Sequence, residues 1–81
     1  MFSPEKLQAI IEEAFPGSKV SAVDMTGMND HFELVVISPS FEGKGMVERH
    51  RMVYGVLDLK VGSQIHALKL KTLTPLEAAR K

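Results

Sequence analysis

The sequence predicts an α+β fold: a two-layer sandwich with three strands in a mixed sheet and helices on one face, in the order α-β-β-α-α-β-α. Three observations carry that prediction. Apolar residues recur at helical spacing near the N-terminus and again in the middle of the chain. Two strand-like segments flank a stretch rich in turn residues, which reads as a hairpin with antiparallel strands. A third alternating segment follows the second helical region, and a strand–helix–strand crossover makes its two strands parallel, with a right-handed connection. No repeat, linker or low-complexity stretch divides residues 1–81, so they are read as one domain.

Residues 4–15 form the first helix, with Leu7, Ile10, Ile11, Ala14 and Phe15 on one buried stripe. Ser3 is placed to cap it, Pro4 suits the first helical position, and the Pro16–Gly17 pair ends it. "KVSAVDM" (19–25) then alternates, and "HFELVVIS" (31–38) is rich in β-branched and aromatic residues, with "TGMND" between them. "PSFEGKG" (39–45) reads as a loop, and "MVERHRMVYGVLDL" (46–59) as a helix that Gly55 breaks into a longer and a shorter piece. "KVGSQ" is a turn into the third strand, "IHALKLKTLTP" (65–75). There His66, Leu68, Leu70 and Thr72 share one face, while Ile65, Ala67, Lys69 and Lys71 share the other. The chain ends in a short helix with Thr74 as N-cap, Pro75 at its first position and Glu77 completing a capping box.

Composition narrows the function classes. At 81 residues the core is thin, since folding hides roughly 60–65% of the unfolded surface. No apolar run approaches the ~20 residues of a membrane span, and "MFSPEKLQ" lacks the pattern of a secretory signal. With no cysteine there is neither a disulfide nor a thiolate metal site. These absences make a cytoplasmic address the expectation. Ten basic residues balance ten acidic ones, so global charge gives no support to binding by phosphate neutralisation.

The histidines carry most of the chemical interest. Parallel second and third strands bring their N-terminal ends to one edge, with His31 and the "TGMND" loop near Gln64, Ile65 and His66. The two imidazoles then converge on one rim, provided the register keeps them on one face. Each has a plainer reading: His66 as a hydrogen-bonded, half-buried residue, His31 as a solvated residue beside a turn. His50 shares a helical stripe with Met46, Val53 and Leu57, which reads as a boundary position. Glu48, Arg49 and Arg51 read as the solvated face of that helix. The spacing of the three histidines makes no zinc site, which needs three or four converging ligands. Lys44, Arg49, Arg51, Lys69 and Lys71 are the candidates for a basic strip, three near the second helix and two on the sheet. No nucleophile elbow or phosphate loop occurs, so no enzymatic activity is expected.

"SPSFEGKGMVERHRMVYGVL" followed by "IHALKLKTLTP" resembles the BolA family. The resemblance covers nearly the whole chain: the opening helix, the hairpin, the Ser-Pro-x-Phe-Glu-Gly loop, the Arg-His-Arg helix and the His-Ala strand ending in Thr-x-Thr-Pro. It implies a fold similar to a class II KH domain. It also implies a monothiol glutaredoxin as partner and a [2Fe-2S] cluster shared with it, serving iron–sulfur trafficking or iron and redox regulation. In such a pair the glutaredoxin supplies a cysteine, glutathione a second thiolate, and the BolA side the histidine that matches His66. Many members add a cysteine or histidine from the hairpin loop, but here "DMTGMND" has neither. Met28 stands at about that place, and a thioether cannot become a thiolate. His31 is the nearest alternative ligand.

Arg49, His50 and Arg51 are the implied docking residues, facing the partner or the glutathione carboxylates, with Met28 beside them. Alone, the chain is expected to be a monomer without a cofactor and without membrane contact. The alternative that the resemblance implies is a DNA-binding transcriptional regulator using Lys44, Arg49, Arg51, Lys69 and Lys71. KH domains clamp nucleic acid with a Gly-x-x-Gly loop. That place is taken by "YGVL", and the chain holds no Gly-x-x-Gly.

Overall fold

The amphipathic start of the chain folds as its spacing predicts. In the computed structural model, which describes residues 3–27, 31–60 and 67–80, helix α1 spans Pro4–Ala14. The Ser3 hydroxyl accepts a hydrogen bond from the Lys6 amide at 3.1 Å, satisfying one of the orphan donors of the first turn. Leu7, Ile11 and Phe15 are buried, with Ile10 packed beside them, whereas Ala14, expected on that stripe, faces solvent. Gly17 turns the chain at φ 82°, a conformation that costs glycine little.

Strands β1 (Lys19–Asp24), β2 (His31–Ile37) and β3 (Ala67–Leu73) form one sheet in the order β1-β2-β3. The β1 and β2 pair is antiparallel and the β2 and β3 pair parallel. In β2, Phe32, Leu34 and Val36 are fully buried, while His31, Glu33, Val35 and Ile37 are only half-buried. The helices therefore cover one face of the sheet and leave the other open, which is the two-layer α+β arrangement.

Between β2 and β3 lie two helical pieces, as the predicted order requires, but divided elsewhere. The first is a 3₁₀ turn, Pro39–Phe41, inside the stretch read as a loop. It drops the fully buried Phe41 against Phe15, ring centroids 5.6 Å apart. The second is α2, Met46–Lys60, which runs unbroken through Gly55. A helical glycine costs about 1 kcal/mol relative to alanine. Burial of Val53 and Leu57 on either side, with Met52 and Val56 packed against the core, outweighs that cost. The buried stripe is headed by Arg49, 6% exposed, and not by Met46, which is 54% exposed.

Helix α3 (Pro75–Ala79) carries both halves of its capping box. Thr74 Oγ1 accepts from the Glu77 amide at 3.1 Å, and Glu77 Oε1 accepts from the Thr74 amide at 2.9 Å. Among the described residues, no helix is long and apolar enough to cross a membrane.

Candidate functional site

Two of the predicted site residues, His66 and Met28, lie outside the described residues. What surrounds them in sequence is described. Because β2 and β3 are parallel and α2 returns the chain from one to the other, four features share one end of the molecule. These are the end of β1, the starts of β2 and β3, and the last turn of α2. Asp24 shapes the hairpin there: its Oδ1 accepts from the amides of Thr26 and Gly27 at 3.2 and 3.0 Å. The Met25 amide donates to the His31 carbonyl at 2.8 Å. With its base fixed this way, the hairpin leaves Val23 and Met25 half exposed, at 49% and 56%. Leu59, at the matching end of α2, is 86% exposed. Val23 and Met25 at the end of β1 and Leu59 in the last turn of α2 are thus exposed at the end where β3 begins.

The register settles which face His31 occupies. His31 pairs with Ala67 and Glu33 with Lys69, and the Lys69 ammonium lies 3.5 Å from the Glu33 carboxylate on the open face. The sequence alternation assigns His66 to the other phase, with Leu68, Leu70 and Thr72, whose strand positions face the helices. Of the two imidazoles expected on one rim, the structure describes His31, which stands on the open face. Among the described residues, no three histidine or carboxylate side chains stand close enough together to hold a metal ion.

Arg49 departs most from its expected role. Instead of lying on a solvated or docking face, its guanidinium is buried between α2 and α3. Nη1 and Nη2 donate to the two Glu77 carboxylate oxygens at 2.7 and 3.1 Å, and Nε donates to the Lys44 carbonyl at 2.8 Å. Its Cζ lies 6.0 Å from the centroid of the Phe41 ring. The bidentate bond holds the Glu77 carboxyl down at about 2, helped by the Thr74 amide, and raises Arg49 further above its already high value. Arg49 is a clamp between helices.

The remaining docking candidates stay near the surface of α2. His50 is half-buried and meets Tyr54 edge-on, ring centroids 6.4 Å apart, and Arg51 is exposed. Val47, 68% exposed, and Tyr54, 42% exposed, extend the same helix face. The sequence reading passed over both, although their spacing of seven places them in line with Arg51.

The basic strip does not form. Arg49 is buried; Lys44 is paired with Glu48 at 3.7 Å at the start of α2; Arg51 lies on α2. Lys69 and Lys71 stand on the opposite, open face of the sheet. The sheet itself separates the two groups of cations.

Comparison with known proteins agrees with this architecture. A family model described as "BolA-like protein" matches residues 2–77. The "DNA-binding transcriptional regulator BolA" of Escherichia coli (strain K12) is 31% identical over 81 residues, spanning 91% of this chain and 77% of that protein. The structure of a BolA protein homologue from Coxiella burnetii superposes with a TM-score of 0.83 at 42% identity, covering 99% of this chain and 100% of the other. The BolA domain of SufE1 from Arabidopsis thaliana superposes with a TM-score of 0.74 at 28% identity, covering 95% and 98%. The chain belongs to the BolA family.

Proposed function

From that membership we propose that the chain is a non-enzymatic, cytoplasmic adaptor that binds a monothiol glutaredoxin and shares a [2Fe-2S] cluster with it. His66 supplies the imidazole ligand. The observation that supports this reading is the exposure of Val23, Met25 and Leu59 at the end of the sheet where β3 begins, next in sequence to His66. Exposed apolar side chains at one end favour a partner there, because covering them removes apolar surface from water.

The donor set fits a shared cluster better than one held alone. The chain has three histidines and no cysteine, so thiolate ligands must come from the partner side. A bound cluster would supply one-electron chemistry at a potential raised by imidazole ligation. Toward it, this chain contributes the His66 imidazole, while Val23, Met25 and Leu59 are the apolar side chains a partner would cover. His31, in the opposite strand phase, is the weaker candidate for a second ligand. His50, Arg51, Val47 and Tyr54 extend the docking face along α2.

The test is anaerobic reconstitution of the chain with a monothiol glutaredoxin and glutathione, followed by visible circular dichroism. The mixture should give a spectrum distinct from that of the glutaredoxin alone, lost in His66→Ala and retained in His31→Ala. A spectrum unchanged from the glutaredoxin alone would rule out cluster sharing.

One observation favours a second reading. The relative from Escherichia coli is named a DNA-binding transcriptional regulator. For this chain that role would have to rest on cations divided between two faces of the sheet and on no net charge. DNA binding whose affinity falls steeply with salt in the absence of partner would support it.

A further inference from the structure

The open face of the sheet carries a second surface, at the end away from the hairpin. A groove of about 860 Å³ lies where the finish of β2 and β3 meets α3 and the start of β1. Along β2 it is roughly 20 Å from the hairpin end, at about 3.3 Å per residue. Its floor is aliphatic: Val35 and Ile37 of β2 and Leu73 of β3 are half-buried on the uncovered face. Its rim holds three cations, Lys19, Lys71 and Arg80, all exposed. Among the described residues, none of the three has an ion pair. The carboxylate in the lining, Glu77, has both oxygens bonded to Arg49. The groove is therefore apolar below and uncompensated positive above.

We propose that this groove docks an extended acidic segment of a partner protein, with alternating aliphatic and carboxylate side chains. The period of two follows from the floor, where Val35 and Ile37 stand two residues apart on β2 and face the same way. Carboxylates on such a segment reach Lys19, Lys71 and Arg80, while its aliphatic residues cover Val35, Ile37 and Leu73. A nucleic acid fits less well, because the lining has no aromatic side chain on which a base could stack. This surface lies at the opposite end of the strands from the hairpin, so it is separate from the surface proposed above for the glutaredoxin.

The test uses the full chain labelled with ¹⁵N and the acetylated peptide DVEIELD. Saturable shifts of the Val35, Ile37, Lys71 and Leu73 amides are expected. Affinity should fall about tenfold in Lys71→Glu and again in Lys19→Glu, and weaken as salt rises from about 50 to about 300 mM. His66→Ala should leave it unchanged. Both lysines are exposed, and an unaltered spectral dispersion shows that the variants remain folded. Absence of saturable shifts up to about 1 mM peptide would overturn the proposal. Equal shifts with the peptide KVKIKLK, or the same amides responding instead to oligo(dT), would overturn it too.

Discussion

A single guanidinium fastens the last helix to the rest of the chain. Arg49 satisfies both oxygens of Glu77 and a loop carbonyl, and Glu77 in turn caps its own helix. Half of this was legible in the sequence. The capping box needs only Thr74 and Glu77 at their fixed offset. The clamp joins residues 28 positions apart, and an arginine inside "ERHR" looks like any solvated one until the helices are packed. The pair has a definite signature in acid. The folded carboxyl of Glu77 lies at about 2, below its ordinary 4.5, so it stabilises the fold fully above pH 4.5 and loses that contribution as pH falls toward 2. Thermal melts across this window should show wild type losing stability as pH falls. Glu77→Gln should be less stable than wild type at neutral pH and flatter through the same window. Parallel curves for the two proteins would contradict the clamp.

At the scale of elements, local chemistry served well where a single position decides. Ser3, Pro4 and the Pro16–Gly17 pair gave α1 nearly to the residue. Alternation gave β1 and β3, β-branched and aromatic content gave β2, and the crossover gave the parallel pairing. Gly55 misled because helix propensity is a weak term beside the burial of its neighbours. That same glycine offers a clean prediction. It is helical and exposed, and a Cβ built on it meets nothing within 4 Å. Gly55→Ala should therefore stabilise the protein by about 0.5–1 kcal/mol, read from the urea midpoint. A loss of stability would show that α2 needs the glycine for another reason. The register follows from the alternation too. Phe32, Leu34 and Val36 pair with Leu68, Leu70 and Thr72, so the core-facing phases of β2 and β3 coincide and His31 falls on the open face.

At the scale of the whole molecule, the fold separates two surfaces. Helices α1 and α2 cover one face of the sheet, the hairpin end leaves Val23 and Met25 exposed, and the opposite end of the open face carries exposed cations. Charge counting along the sequence could not find this, because the balance of ten against ten hides where each charge stands. The apolar rim predicts that Leu59→Asp, at a position 86% exposed, changes stability by no more than about 0.5 kcal/mol. It should nonetheless weaken binding to a monothiol glutaredoxin about tenfold in calorimetric titration. Unchanged affinity would move the docking surface elsewhere.

The central claim concerns one bond, between the His66 imidazole and iron. It is tested most directly by pulsed electron paramagnetic resonance of the reduced cluster in the mixed complex, using chain labelled with [¹⁵N]histidine. The account predicts a ¹⁵N hyperfine coupling that persists in His31→Ala and disappears in His66→Ala. A cluster with no coupled histidine nitrogen, or one whose coupling survives His66→Ala, would contradict it.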